Sequence, residues 1–172
     1  MRTRNILSAI AAFVITLAAS FSSSAQDWNS VKRFMTTTNA CRTLATLAHP
    51  TSDYISSSVT SSTSSTITVS IKFQDGWTDD YYTSKYELEK ASIGGGNFIS
   101  RVRCTSEGDW VSSFTAWSSI SDYTLYSLAF DNCYRENPSE IRSIYGGSRF
   151  SDISNSAKAA FVMTMLYADY IG

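Results

Sequence analysis

A short segment in the middle of the chain gathers acidic and aromatic side chains around a turn. Its residues are Asp75, Trp77, Asp79, Asp80, Tyr81 and Tyr82. Carboxylate oxygens are suitable calcium ligands, and aromatic faces beside acidic acceptors suit sugars. Asp is also preferred in plain turns for its local backbone hydrogen bonds. The spacing matches no calcium loop of known geometry, so the sequence favours a solvated turn. The last five of these residues are the candidate binding residues if the turn has a function.

A second aromatic candidate lies further along the chain. Trp110 and Trp117 flank a predicted strand, and their seven-residue spacing places them on opposite faces of a regular strand. One is expected in the core, and the other is exposed as an anchor for a partner. Trp110 is therefore added to the candidate binding residues.

Nucleophilic catalysis needs a base beside the nucleophile, and the chain has a single histidine, His49, before Pro50 at a predicted helix end. Its expected role is a cation at the helix terminus. The alternative role, a general base, lacks an identifiable partner. Neither S-x-x-K nor G-x-S-x-G occurs.

No metal or cofactor is expected. One histidine and three scattered cysteines do not form a zinc pattern. The run Gly94-Gly95-Gly96 lacks the following Lys and helix of a phosphate-binding loop, so we interpret it as a flexible connection between strands.

The cysteines are Cys41, Cys104 and Cys133. Cys104 and Cys133 lie near element ends, where the backbone has more freedom to reach disulfide geometry, and their loop is the shorter one to close. The sequence therefore predicts a Cys104–Cys133 disulfide. Cys41, on the apolar stripe of a helix, is expected to stay buried and reduced.

Residues 1–25 have the three parts of a signal peptide: a basic start at Arg2 and Arg4, an apolar run, and small residues ending at Ala25. Cleavage before Gln26 leaves 147 residues, the size of one domain. The run is short and interrupted for a membrane span, so we expect no stable membrane anchor after cleavage. The predicted location is periplasmic or secreted.

The residue pattern predicts the elements that position these candidates. A helix is expected over residues 27–48, and residues 51–65 are interpreted as a Ser/Thr-rich linker, with an edge strand over 54–60 as the alternative. Alternating residues predict strands, and periodic apolar residues predict helices. The strands are 66–73, 81–90, 98–104 and 110–117; the helices are 121–134 (or a strand), a short one capped at Asn137 and ended by Gly146-Gly147, and 154–170.

This order predicts a single α+β domain over residues 26–172. It has an N-terminal helix, an antiparallel meander of three to four strands, and C-terminal helices packed on one sheet face. The strand 66–73 alternates strictly, so Ile67, Val69, Ile71 and Phe73 are expected to face the helices.

The chain carries 14 basic and 15 acidic residues, and loss of Arg2 and Arg4 brings the mature net charge near −3. This balance disfavours nucleic acid and anionic lipid as partners, so the expected partner is another protein or a glycan.

Three functions are left open by the sequence. The first is an exported non-enzymatic binding protein, such as an inhibitor or an immunity-type neutraliser of another protein. The second is a carbohydrate- or small-ligand-binding module with a cavity lined by Tyr82, Tyr86 and Phe98. The third is a hydrolase that uses carboxylates such as Asp79, Glu107 and Asp109.

Overall fold

The structure is a computed structural model, and it describes residues 28–49, 51–93, 96–105 and 123–171. Among these residues, two helices precede the four strands of the sheet in the chain, and three helices follow them. In chain order they are α1 (Trp28–Phe34), α2 (Thr38–Ala48), β1 (Ser52–Ser62), β2 (Thr66–Asp75), β3 (Tyr81–Ile93), β4 (Gly96–Cys104), α3 (Tyr123–Glu136), α4 (Pro138–Tyr145) and α5 (Asn155–Ile171). The four strands form one antiparallel sheet in the order β1-β2-β3-β4, which confirms the predicted α+β meander.

The sheet has one buried and one solvated face. Ile67, Val69, Ile71 and Phe73 of β2 are all 0% exposed, as their alternation predicted. The opposite face is polar: Glu87 of β3 pairs in the register with Arg103 of β4, and the two side chains form an ion pair. The facing of the central strands was therefore readable from the sequence.

Helix α5 covers the buried face of the sheet, packing mainly against β4. Its middle is apolar around almost the whole circumference, because residues 159–163 are all buried in succession. Phe161 meets Phe130 of α3 edge-to-face at 5.1 Å and Tyr145 of α4 at 5.5 Å. Since aromatic pairs favour this geometry, the cluster joins all three C-terminal helices.

The first helix was predicted as one piece over residues 27–48, and this prediction is wrong. The chain breaks between α1 and α2 because threonine hydroxyls compete for backbone groups. Thr36 and Thr37 donate to the carbonyls of Arg33 and Phe34 at 2.6 and 2.7 Å, near the end of α1. The Thr37 side chain then accepts from Ala40 N and caps α2.

The Ser/Thr-rich linker over residues 51–65 is also wrong, since β1 runs from Ser52 to Ser62 and pairs with β2. The edge strand over 54–60, which the sequence left open, lies within β1. Residues 51–65 contain few apolar side chains, and this is why the sequence indicated a linker. An edge strand has little buried surface and is held largely by backbone hydrogen bonds, so serine and threonine suffice.

The C-terminal predictions agree better with the structure. Residues 123–136 are helical, which settles the choice between helix and strand. Helix α4 begins at Pro138 and is capped after Tyr145 by Gly146, whose φ of 84° is the left-handed conformation that glycine adopts readily. The predicted strand over residues 110–117 lies outside the described residues.

The predicted Cys104–Cys133 disulfide is contradicted, because all three cysteines are free and no two lie near each other. Cys104 ends β4 opposite Tyr86, whereas Cys133 lies inside α3 and is 1% exposed. Cys41 is buried and reduced, as expected, and its thiol donates to Met35 O at 3.0 Å. The short sequence separation favoured closing a loop between Cys104 and Cys133. It carried no information on where the fold places each thiol.

Candidate binding site at the β2–β3 turn

The turn between β2 and β3 is organised by Asp75. Its carboxylate accepts hydrogen bonds from the backbone N–H groups of Trp77 at 2.7 Å and Thr78 at 2.9 Å. These bonds favour the charged form and lower the pKa of Asp75. Its own N–H donates to Asp80 O at 2.8 Å. Asp75 is therefore a structural residue whose carboxylate is engaged by the turn.

Two backbone features fix the shape of this turn. A Cβ at Gly76 would lie 2.3 Å from the Thr51 carbonyl oxygen, so only glycine fits against that neighbour. Asp79 adopts a φ of 60°, a left-handed conformation that Asp tolerates better than most residues. The Gln74 side-chain amide donates to Asp79 O at 3.4 Å. These contacts position the side chains around the tip.

The tip presents two large aromatic side chains to solvent. Trp77 is 85% exposed and Tyr81 is 59% exposed. Asp79 and Asp80 are also exposed. The Lys72 ammonium lies 4.7 Å from the centroid of the Tyr81 ring, in cation–π geometry. We call Trp77, Asp79, Asp80 and Tyr81 the aromatic tip.

Tyr82 does not belong to the aromatic tip, although it was predicted with it. Successive strand residues face opposite sides of a sheet, so Tyr82 lies on the helix-covered side and stacks on Phe73 at 5.1 Å. Its hydroxyl donates to Ser52 Oγ at 2.8 Å, and burial raises its pKa. The structure thus brings four of the five turn candidates together. Trp110, the sixth candidate, lies outside the described residues.

A calcium role for the turn gains no support from its geometry. Within the described ranges, no group of three or more His, Cys, Asp or Glu side chains is arranged to hold a metal ion. The best placed oxygen of Asp75 points to backbone N–H groups. The solvated-turn interpretation therefore describes the backbone well, while the exposed tryptophan remains unexplained by it.

His49 was predicted as a cation at the end of a helix, and this is wrong. The residue does end α2, but it is 6% exposed. Its ring lies among Phe73 at 4.5 Å, Tyr82 at 5.5 Å and Tyr86 at 6.3 Å. Burial disfavours the charged form and lowers its pKa to about 4. His49 is therefore neutral at physiological pH.

The residues proposed for a ligand cavity or for hydrolysis are not assembled into a site among the described residues. Tyr86 is 0% exposed and lies in the core, where burial raises its pKa. Phe98 belongs to β4, but its side chain lies outside the described part of the chain. Asp79 is exposed at the tip, and Glu107 and Asp109 lie outside the described residues.

Lys72 is the tip-associated residue that sequence reasoning missed as part of the site. The alternation of β2 places Lys72 on the outward face, but its contact with Tyr81 depends on strand pairing. Lys72 and Tyr81 face the same side of adjacent strands, one row apart in the β2–β3 register. The alternation of both strands was the only available signal.

Comparison with known proteins gives no match. No protein-family model matches the chain, and no curated protein and no solved structure is similar to it at a significant level. In the part of the chain that the structure describes, no helix has the length and apolar character needed to cross a membrane.

Proposed function

We propose that this protein is an exported, non-enzymatic binding protein that contacts another protein through the aromatic tip. The observation that carries the proposal is the 85% exposure of Trp77 at the tip of the β2–β3 hairpin. Tryptophan is enriched among the residues that dominate binding energy at protein interfaces. An inhibitor or immunity-type neutraliser would use such a protruding anchor.

The surroundings of Trp77 support a preorganised anchor. The indole is carried by a turn held by the Asp75 carboxylate, so little backbone entropy remains to be lost on binding. Tyr81 already binds the ammonium of Lys72 over its ring, which illustrates the contact that Trp77 offers to a cationic group of a partner. Asp79 and Asp80 add acidic groups beside it. A partner with a basic pocket fits this chemistry.

The non-enzymatic part of the proposal rests on the single histidine. His49 is enclosed by aromatic rings and has a pKa of about 4, which makes it a poor base at neutral pH. Export rests on residues 1–25 alone. N-terminal sequencing or intact mass of the secreted product should place the first residue at Gln26.

Site-specific photo-crosslinking tests the proposed interface. A photoreactive amino acid replaces the exposed Thr78, which is next to Trp77 and leaves it intact. The matched control carries the same group at Leu128, a 52% exposed residue of α3. We expect a protein adduct from the native compartment with the Thr78 probe and none with the Leu128 probe. Equal labelling from both positions would count against the tip.

The partner found in this way then allows a quantitative test. Trp77→Ala should weaken binding by about 2 kcal/mol or more, a factor of about thirty in Kd, as expected for an interfacial hot spot. Leu128→Ala should leave the Kd unchanged. Unchanged binding by Trp77→Ala would refute the assignment.

A glycan is the alternative ligand for the same side chains, because Trp77 presents an open face beside the carboxylates of Asp79 and Asp80. Screening the purified protein on immobilised glycans separates the two. Saturable sugar binding that Trp77→Ala abolishes, without a protein adduct in the crosslinking experiment, would replace the protein partner with a carbohydrate.

A further inference from the structure

The two edge strands of the sheet, β4 and β1, differ in how their outer backbone groups are covered. At the β4 edge, helix α5 supplies hydroxyls to the strand backbone. Val102 N donates to Ser156 Oγ at 3.1 Å and Ile99 N to Thr164 Oγ1 at 3.0 Å. The Ser156 hydroxyl also donates to the Val102 carbonyl. These bonds satisfy backbone groups that would otherwise recruit another strand.

The β1 edge has no such cover among the described residues. There, β1 pairs with β2 on one side, and no strand that the structure describes pairs with its other side. Within β1, Asp53 is the only charged residue, and neither lysine nor proline occurs. Lysine and proline are common devices that keep edge strands from pairing. Register shifts next to Ile55 and Thr60 are the devices that remain, and they leave residues 56–59 regular.

Two apolar side chains of β1 itself are only partly covered. Ile55 is 42% exposed, although most large aliphatic residues of the described core are buried. Val59 packs against the core from a half-buried position. Both would lose solvent contact if the sheet continued beyond β1.

We propose that β1 pairs antiparallel with β1 of a second copy of this chain, forming a two-fold symmetric dimer with a continuous eight-stranded sheet. The strand runs from residue 52 to 62, so a two-fold axis at Ser57 lies at its midpoint and within the regular residues 56–59. Cross-strand residues of an antiparallel pair share a face. This register places Ser56 opposite Ser58 of the second copy, and both residues lie on the solvated face of β1, where they pair with Lys72 and Ser70 of β2.

The charges of β1 agree with self-pairing. With the axis at Ser57, Asp53 lies opposite Ser61 of the second copy, so no like charges face each other. Ser56 and Ser58 of the outer face meet each other across the axis, and serine pairs are favourable across strands. A second copy is therefore the partner that fits this edge, whose single charge faces a serine. The dimer is independent of the aromatic tip, which lies at the β2–β3 turn.

Light scattering of the purified protein after size exclusion measures the oligomeric state from low micromolar to near-millimolar concentration. We expect the mass to rise to twice that of the monomer. The double variant Ser56→Lys/Ser58→Lys places like charges opposite each other and should remain monomeric. Its control, Ser139→Lys/Ser143→Lys, adds the same charge to exposed positions of α4 and should dimerise like the wild type.

A second measurement keeps the proposal testable if the lysine variant folds poorly. Hydrogen exchange of wild-type amides in residues 52–62 should slow as concentration rises, while amides of α4 stay unchanged. A wild-type protein that is monomeric throughout the range, or a dimer unaffected by the β1 lysines, overturns the proposal. The Trp77→Ala variant should dimerise normally, so this outcome is separate from that of the proposed function.

Discussion

The buried histidine makes the stability of this protein depend on pH in a predictable direction. His49 has a pKa of about 4 in the folded state, compared with 6.5 for an unperturbed histidine. The unfolded chain therefore takes up a proton as the pH falls through 6.5, while the folded protein stays neutral until about pH 4. Stability is full above pH 6.5 and falls across this window.

The magnitude follows from the two pKa values. At pH 5 the unfolded histidine is almost fully protonated and the folded one is almost fully neutral. The resulting loss of unfolding free energy, relative to neutral pH, is about 2 kcal/mol. This is a large fraction of the stability of a domain of this size.

Urea denaturation of the wild type and of His49→Gln at pH 7 and pH 5 measures this effect. His49 is the only histidine in the chain, so no other imidazole titrates between these pH values. Both proteins contain the same carboxylates, so the carboxylate contributions cancel in the comparison. We expect the wild type to lose about 2 kcal/mol more than the variant between the two pH values. Parallel losses would show that the imidazole accepts a proton in place and that its enclosure by the three aromatic rings has been overestimated.

The remaining predictions concern the sheet, its helix-covered edge and the thiols. Ile71→Ala should cost about 2–5 kcal/mol in urea denaturation because it removes a fully buried side chain, whereas Lys72→Ala on the solvated face should cost well under about 1 kcal/mol. Similar losses at both positions would mean that the facing of β2 is wrong. Thr164→Val should cost about 1–3 kcal/mol, since it leaves backbone groups of β4 without their hydroxyl partner. The same change at exposed Thr46 should have little effect. Equal losses of stability at both positions would show that the Thr164 hydroxyl does not stabilise the β4 edge. Alkylation of the native protein followed by intact mass should modify only Cys104, the half-exposed cysteine, and all three after unfolding. A mass lower by two hydrogens in the unreduced protein would show that a disulfide is present after all.

Much of the sheet was predictable because its signal is local. Alternation in β2 and β3 specifies which face each residue occupies without reference to any other part of the chain. The short helix α4 was equally readable from Pro138 at its start and Gly146 after its end. Both signals depend on neighbouring residues alone.

The errors arose where a local pattern had competing outcomes. The apolar stripe of residues 27–48 is continuous, but the hydroxyls of Thr36 and Thr37 end one helix and start another. The Ser/Thr-rich segment became β1 because β2 was available to pair with it. Composition alone does not reveal the presence of a pairing partner.

By itself the sequence determined the α+β class, the strands β2, β3 and β4 of the meander, and the acidic, aromatic turn between β2 and β3. Tertiary structure alone decided how those residues are used. Packing on one face of the sheet partly covers Tyr82, whereas Tyr81 on the other face is exposed. Packing of α2 against the sheet encloses His49 among aromatic rings and keeps it neutral. The arrangement of the helices and the sheet also keeps the three thiols apart. Exposure, pKa and cross-linking depend on what the rest of the chain brings near a residue, and neighbours distant in sequence leave no mark in the local pattern.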